Sequence, residues 1–331
     1  MDTQTSQLHF QPDPADPDFG DFRVKSRDFA SWFFTGLTGA ATWLIIAILG
    51  VILINVVYHG WSTFSWRFIT SSSSEDMFDV NRAGVLPMIV GTSARVILMT
   101  IFVLPVGVIT AIYLTEYARS TWLITRIIRG AVNNLAGVPS IVFGLFGAGF
   151  FIYFIGRGID SAFYAEVPGG VWSKGGGLLW ASLTLAVMTL PVVIVATEES
   201  LKAIPPGLRE ASLALGATKL QTIWKIVLPQ AMPGIMTGGI LSISRAAGEV
   251  APILFTGAAY YIAGGYPEGL RDKFMDLGYH VFALSTQSPN IEQTRPILYA
   301  TVLVLLLLTF SLNLVAIVIR ARMRRQMRAM H

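Results

Sequence analysis

Two oppositely charged residues interrupt an apolar stretch of the sequence. Arg245 and Glu249 lie four residues apart, within a predicted helix over residues 235–258. Residues with this spacing share one face of a helix, so the two side chains can contact each other. A guanidinium group binds an oxyanion through two parallel hydrogen bonds, and a carboxylate beside it would keep that binding weak and reversible. The pattern predicts an anion pathway lined by Arg245 and Glu249, and a neutralising pair that joins two helices is the alternative.

Other charged residues near the ends of predicted helices have simpler interpretations. Arg95 lies near one end of a predicted helix over residues 86–114. That helix is longer than a span requires, so the Arg95 side chain is expected to reach the membrane interface. A role in attracting an anion at the outer mouth is the alternative. Glu198 and Glu199, close to Lys202, are predicted to form a solvated cluster, with a gating role as the alternative.

The residue types needed for metal binding or covalent catalysis are scarce. The sequence has no cysteine, which excludes disulfides, thiolate ligands and cysteine nucleophiles. Its four histidines are scattered, and no two of them have the spacing of metal ligands. The phosphate-binding motif G-x-x-x-x-G-K-[ST] does not occur in it. We therefore expect no catalytic residue, no metal and no cofactor of its own.

Composition determines the solvent in which this chain folds. Of its 331 residues, 53% are hydrophobic and 13% are charged, whereas roughly 25% are charged in soluble domains. Apolar runs of about 20 residues cross a bilayer as helices. Residues 1–30 are polar and rich in Asp and Pro, which predicts a disordered tail. Residues 31–331 are predicted to form an all-α, polytopic membrane domain with six helices. The predicted helices cover residues 37–57, 86–114, 131–156, 178–197, 235–258 and 297–319.

The distribution of positive charge predicts the orientation in the membrane. Most of the 24 Lys and Arg residues fall on the side that holds both termini and the segment 198–231. Because positive loops remain on the inner side, both termini are predicted to be cytoplasmic. The basic stretch from Arg320 to Arg328 is predicted to contact anionic membrane lipid.

Proline and glycine mark two helices as special. Pro105 and Gly107 fall inside the second predicted helix, where proline removes a backbone hydrogen bond and favours a kink. The kink is either a packing feature or a hinge for opening and closing. The fifth predicted helix is rich in Gly, Ala and Ser, which let neighbouring backbones approach closely. It is therefore expected to be central.

The segment between the fourth and fifth predicted helices contains two short amphipathic helices. Apolar and small residues recur at helical spacing from Leu208 to Leu215, and Gly216 ends that helix. Thr218 and Gln221 have the spacing of a capping box, which starts the second helix, and Pro229 is predicted to end it. The bilayer surface is one possible partner for such a helix pair.

A longer pattern in the same segment indicates a different partner. Glu210, Ala211 and Gly216, followed by the run from Ile226 to Pro229, fit the spacing E-A-A-x3-G-x9-I-x-L-P, with Ser212 in the third position. This pattern resembles the EAA loop of the membrane subunits of bacterial ABC importers. The resemblance implies a coupling loop over residues 198–231, in which Glu210, Ala211, Ser212 and Gly216 contact a separate ATPase subunit. That subunit would bind the ATP and magnesium.

Further stretches resemble the PstA-type phosphate permeases of that family: Gly107–Ala118, Asn134–Phe146, Arg209–Thr218, Arg245–Thr256 and Tyr279–Asn290. The resemblance implies a type I importer permease fold and one half of the translocation pathway of an ATP-driven phosphate importer in the bacterial inner membrane. The implied partners are a PstC-like permease, a PstB-like ATPase dimer and a PstS-like phosphate-binding protein, with no nucleic acid.

Three alternatives to phosphate import remain at this stage. A permease of the same architecture could carry another oxyanion, such as molybdate or sulfate. An ion-coupled secondary transporter could use Arg245 and Glu249 as a charge relay, although the inverted repeats typical of that class are not detected. A membrane-bound enzyme would need an acid, base or metal constellation that this sequence does not contain.

Overall fold

A computed structural model describes residues 29–72, 78–79, 82–119 and 121–329. The tail predicted over residues 1–30 therefore lies almost entirely outside the described part. Within that part the fold is helical, and the only strand-like pairing is an isolated bridge between Ala258 and Phe274. The helices are α1 Phe29–Gly60, α2 Trp66–Thr70, α3 Leu86–Ile112, α4 Leu123–Ala136, α5 Ser140–Gly147, α6 Arg157–Phe163, α7 Leu178–Lys202, α8 Pro206–Ala214, α9 Lys219–Thr222, α10 Leu228–Gly248, α11 Ala251–Thr256, α12 Leu277–Thr286 and α13 Ile291–Ala329.

Three π-helical turns extend or join these helices. Tyr113–Tyr117 continues α3, Ala148–Gly156 joins α5 to α6, and Ile223–Val227 joins α9 to α10. Six stretches of the described residues are long and apolar enough to cross a membrane, which agrees with the predicted number. They are Trp32–Gly60, Leu86–Tyr117, Ser140–Phe163, Leu178–Lys202, Lys219–Gly248 and Ile291–Met323.

The third and fifth spans differ from their predicted bounds. The third begins at Ser140 and not at 131, because α4 forms a separate helix before it. Pro139, which has no N–H and restricts the residue before it, precedes the new helix. The fifth span begins at Lys219 and ends at Gly248, ten residues before the predicted end. Pro252 explains this break, because in a continuous helix its ring would collide with the carbonyl of Gly248.

The chain divides into two compact units, residues 1–55 and 56–331. In the first unit, the described residues belong to α1, and its large apolar side chains are exposed. The core of the second unit lies where α3, α5, α7 and α10 meet. The contacts of α10 with α3, α7 and α13 confirm that the fifth predicted helix is central.

Gly107 shows how closely the core helices approach each other. A Cβ atom at this position would lie 2.6 Å from Cγ1 of Val193 on α7, so only glycine fits without displacement. Pro105 lies inside α3 with its side chain exposed. Packing against α7 is sufficient to explain Gly107, and the hinge over Pro105 and Gly107 stays a prediction.

Candidate functional site

Arg245 and Glu249 lie close together, although the helix that carries Arg245 ends before Glu249. Arg245 is in the last turn of α10, and Glu249 caps the helix with extended backbone angles (φ −82°, ψ 125°). Nε of Arg245 lies 3.5 Å from Oε1 of Glu249, and their side chains are 39% and 23% exposed. The predicted pair therefore forms, and its guanidinium group remains accessible. That accessibility is what a weak, reversible anion contact requires.

The prediction that Arg95 reaches the membrane interface is wrong. Its side chain is fully buried, and Nη2 lies 2.8 Å from Oδ2 of Asp276, which is also fully buried. Nη1 of Arg95 donates hydrogen bonds to the backbone carbonyls of Ala246 (3.1 Å) and Glu249 (3.3 Å). A buried guanidinium group requires such compensation, since desolvating an isolated charge is costly. Arg95 thus joins α3 to the end of α10 and to the start of α12.

Asp276 is held as firmly as Arg95. It is the N-cap of α12, and its Oδ1 accepts hydrogen bonds from the amides of Gly278 (2.9 Å) and Tyr279 (3.2 Å). Thr92 donates to Oδ2 of Asp276 at 2.9 Å. Burial lowers the pKa of the nearby His280 to about 4, so its ring adds no charge at neutral pH. Asp276, Arg95 and Thr92 form a buried polar network, which we call the Arg95 network.

The segment 198–231 forms the first predicted short helix, α8, but the second does not end at Pro229 as predicted. It begins at Lys219 as α9 and continues through the π-helical turn Ile223–Val227 into α10, so it is the start of the fifth span. Thr218 and Gln221 make the complete capping box at the start of α9. Gly216 has φ +82°, and its amide donates to the carbonyl of Leu213, while the amide of Ala217 donates to that of Ser212. These two bonds are the Schellman arrangement, which favours glycine because side chains are strained at positive φ. Gly216 therefore produces the turn between the two helices.

The four predicted coupling residues differ in exposure. No residue of α8 is buried, and Glu210, Ala211 and Gly216 are exposed. Leu215 is 89% exposed. Ser212 is the exception, because its hydroxyl is half-buried and lies 2.9 Å from Oγ1 of Thr222 on α9. Ser212 thus holds α8 against α9, whereas the other three residues are accessible.

Arg209 attaches α8 to the membrane helices. Its Nε and Nη2 both donate to Oε1 of Glu116 (3.1 and 3.0 Å), which lies in the π-helical turn after α3. Nη2 donates to the carbonyl of Leu201 (2.7 Å) in the last turn of α7, and Nη1 donates to that of Ile204 (2.8 Å), two residues after the helix ends. Lys219 of α9 donates to the carbonyl of Glu116. The exposed helix pair is therefore anchored at its base to α3 and α7.

Only part of the expected solvated cluster at the end of α7 is solvated. The side chain of Glu199 is 69% exposed, as expected. Glu198 is only 9% exposed and contacts Nη1 of Arg129 (3.1 Å) and Nζ of Lys202 (3.2 Å). Arg129 also donates to the carbonyl of Leu114 at 3.0 Å. The solvated interpretation is thus wrong for Glu198, which joins α4 to α7 and to the end of the α3 span.

Sequence reasoning missed Asp276, Glu116 and the anchoring role of Arg209. Asp276 precedes a helical stretch, and Asp is a favoured N-cap residue, so its cap could have been predicted. Glu116 and Arg209 both fall in stretches that resemble the phosphate permeases, but no spacing rule links residues 93 positions apart. Their pairing becomes visible only in the folded chain.

A cavity of about 610 Å³ lies away from these residues, between the segment that precedes α7 and the segment that precedes α12. Its charged lining residues are Lys174, Arg271, Lys273, Glu268 and Asp272. Bases and acids nearly balance there. The cavity is separate from the Arg245–Glu249 pair, neither member of which lines it.

Comparison with known proteins gives the family. Residues 103–328 match the family described as "Binding-protein-dependent transport system inner membrane component". The chain is 32% identical over 304 residues to phosphate transport system permease protein PstA 1 of Mycobacterium tuberculosis, covering 90% of this chain and 89% of that protein. It is 34% identical over 242 residues to the Yersinia pestis protein PstA, covering 72% and 73% of the two chains.

Solved structures give the same fold. A chain of a bacterial alginate ABC transporter aligns with a TM-score of 0.60 at 14% identity, covering 90% of this chain and 96% of that one. This likeness, together with the six candidate spans, confirms the prediction of an all-α ABC importer permease fold. The chain belongs to the family of binding-protein-dependent transport system inner membrane components.

Proposed function

We propose that this chain is the PstA-like half of an ATP-driven importer of inorganic phosphate, and that it catalyses no covalent reaction itself. The observation that carries the ATP-driven part is the α8–α9 pair, which is exposed at its tip and anchored at its base. The names of the relatives support phosphate as the substrate. The proposed partners are a PstC-like permease, a PstB-like ATPase dimer and a PstS-like phosphate-binding protein.

The coupling step would use the exposed tip of α8. A short helix with accessible small and apolar residues fits a groove on another protein, as in other helix-in-groove complexes. Glu210, Ala211 and Gly216 are the accessible residues of the EAA pattern, and Ser212 would support them from α9. ATP and magnesium would be bound by the ATPase subunit. Movement of that subunit would reach α3 and α7 through Arg209.

The pathway step would use the Arg245–Glu249 pair. The contact between the two side chains involves Nε of Arg245, so the two terminal nitrogens of the guanidinium group are the candidates for binding phosphate oxygens. Glu249 would neutralise Arg245 between substrate passages and would prevent tight trapping of the anion. Its repulsion of a bound anion supports rapid release.

The orientation follows from the same assignment. If α8 contacts a cytoplasmic ATPase, segment 198–231 is cytoplasmic, and six spans then place both termini on that side. The excess of Lys and Arg on this side supports the same orientation. The chain would then lie in the bacterial inner membrane, with its basic C-terminal stretch near anionic lipid.

A reconstituted complex with its binding protein tests the proposal. Phosphate uptake into proteoliposomes is expected to require ATP on the side of the coupling segment, to persist in the presence of an uncoupler, and to resist competition by molybdate and sulfate. Uptake that collapses with the uncoupler at constant ATP would contradict ATP coupling. Effective competition by another oxyanion would leave the architecture intact but overturn phosphate as the specific substrate.

A crosslinker tests the coupling surface directly. A photoreactive group at Ala211 is expected to capture the ATPase subunit in membranes that import phosphate. The same group at Leu123, an exposed residue of α4 outside the coupling surface, is the control. Capture of lipid alone at Ala211 would contradict the assignment of α8.

A further inference from the structure

The helix is broken between α10 and α11, and backbone carbonyl groups at this break lie in the protein interior. α10 ends at Gly248, and the chain resumes a helix only at Ala251. The last carbonyls of a helix have no donor within it, and an unpaired buried carbonyl is costly. Two carbonyls at this break receive hydrogen bonds from Arg95: that of Glu249, and that of Ala246, which also accepts one from the amide of Glu249. A side chain of α3 therefore stabilises the broken end of α10.

These two carbonyls belong to the same stretch of backbone as the proposed pathway residues. Ala246 directly follows Arg245, and the second carbonyl belongs to Glu249 itself. The side chains of Arg245 and Glu249 stay partly exposed, while the group that holds their backbone is fully buried. The accessible pair and its buried support thus meet at the same stretch of backbone.

The support is itself held by several partners. Asp276 neutralises Arg95 at 2.8 Å and is held by Thr92 and by the first amides of α12. The hydroxyl of Ser182 on α7 donates to the carbonyl of Leu178 at 2.7 Å and lies 3.3 Å from the backbone carbonyl of Arg95. Arg95 makes its hydrogen bonds to the end of α10 through Nη1 alone, while Nη2 contacts Asp276 as an ion pair. The end of α10 is therefore linked to α3 and, through Asp276, to α12.

We propose that Arg95 is a positioning residue for the Arg245–Glu249 pair, with Asp276 as its obligatory counter-charge. The inference rests on the pathway role proposed above for that pair. Only a branched, planar guanidinium group can hold a carboxylate with one nitrogen and two carbonyls with another. Functional side chains need a support that keeps them within roughly 0.5 Å of their working geometry. Arg95 supplies that support without contacting the substrate.

The competing explanation is that the Arg95 network serves folding alone. Removing one member leaves an unpaired buried charge, so a single substitution would fail under either explanation. A double substitution separates them. R95M/D276N removes both charges, and Asn keeps the N-cap of α12. The double substitution therefore leaves no unpaired buried charge, whereas the Glu249 carbonyl loses its donor and the Ala246 carbonyl keeps only the amide of Glu249.

The experiment compares R95M/D276N with R82M in the complete importer. The control replaces an arginine whose side chain is 79% exposed and lies 3.9 Å from Asp79. R95M/D276N is expected to accumulate and to hydrolyse ATP within about twofold of the parent, while phosphate uptake falls at least about tenfold, as geometric misplacement implies. The control is expected to match the parent in all three measurements.

Two results would overturn the positioning role. Parental uptake by R95M/D276N would show that the carbonyl contacts are unnecessary. Failure of this variant to accumulate would show that the network is needed for assembly itself.

A second measurement links Arg95 to Arg245. R245K is tested alone and together with R95M/D276N, and the combined loss of uptake is expected not to exceed the larger separate loss. Losses that multiply would mean that the two sites act independently, which contradicts the inference. Normal uptake by R245A alone would instead refute the proposed pathway, so the failure of the inference and the failure of the proposed function are distinguishable.

Discussion

Each end of the α3 span carries an arginine–carboxylate pair, but the two pairs lie in different surroundings. At the Asp276 end, Arg95 and Asp276 are 2.8 Å apart, and both side chains are fully buried. At the Glu116 end, Arg209 and Glu116 are 3.0 Å apart, with 21% and 10% of their side chains exposed. The first pair joins interior helices, whereas the second joins α3 to a projecting helix pair.

The difference in burial separates a fixed contact from one that is able to move. A fully buried pair cannot separate without leaving two desolvated charges, so its cost of breaking is several times that of a surface pair. A partly exposed pair exchanges protein contacts for water at a smaller cost. The Asp276 end is therefore suited to hold the broken helix, and the Glu116 end would be able to follow the movement proposed above for α8.

The largest effect is expected from R95M alone. It leaves the Asp276 carboxylate buried without a counter-charge, which costs about 3–5 kcal/mol of folding stability. The amount of chain in the membrane and its thermal midpoint in detergent measure this loss. R82M, which breaks an exposed pair, is the control and should change neither. An R95M variant as stable as the parent would mean that the buried Arg95–Asp276 pair contributes no more to stability than the Arg82–Asp79 pair.

A smaller effect on stability, but a clear one on coupling, is expected from R209A. Loss of the contacts to Glu116 and to two carbonyls would cost about 2 kcal/mol, because hydrogen bonds to charged groups are the stronger ones. The chain should still accumulate, while phosphate transported per ATP hydrolysed falls several-fold.

R129A is the matched control for R209A, because Arg129 contacts Glu198 at the same end of α3 but makes no hydrogen bond to α8 or α9. Equal losses of coupling in both variants would indicate a general weakening of this end. That result would mean that the contacts of Arg209 matter no more for coupling than the neighbouring contacts of Arg129.

Substitution of Gly216 tests whether the coupling segment needs its own geometry. Its φ of +82° costs a non-glycine residue about 1–2 kcal/mol, although a Cβ atom at this position would meet no neighbouring atom within 4 Å. Asn tolerates this region better than a β-branched residue. Uptake should therefore fall in the order Gly, Asn, Val. Equal uptake by Gly216→Asn and Gly216→Val variants would contradict a conformational role.

The smallest effects separate two adjacent carboxylates at the Glu116 end. Glu198→Gln weakens contacts to Arg129 and Lys202 and should cost about 1 kcal/mol, whereas Glu199→Gln, on an exposed side chain, should cost less than about 0.5 kcal/mol. Thermal midpoints of the two variants at equal salt provide the measurement. A larger loss for Glu199→Gln would reverse the burial argument.

Local rules predicted much of this protein. The six spans follow from apolar runs, and the capping box at Thr218 and the turn at Gly216 follow from residues only a few positions apart. The short helix α8 was predicted correctly for the same reason, whereas the predicted end of the second helix at Pro229 was wrong, because the π-helical turn Ile223–Val227 carries that helix past Pro229 into α10. These features depend on the backbone's own requirements, which are met by residues that are close in sequence.

The interior electrostatics required the tertiary structure. Spacing paired Arg245 with Glu249 correctly, but Arg95 was wrongly predicted at the membrane interface, because its partner Asp276 is distant in sequence. A buried charge is tolerable only beside compensating groups, and which groups meet it depends on how the helices pack. The sequence by itself determined that this chain has six apolar segments long enough to span a membrane and a short exposed helix, α8, before the fifth of them. Packing alone decided which of its charges are enclosed and which remain accessible.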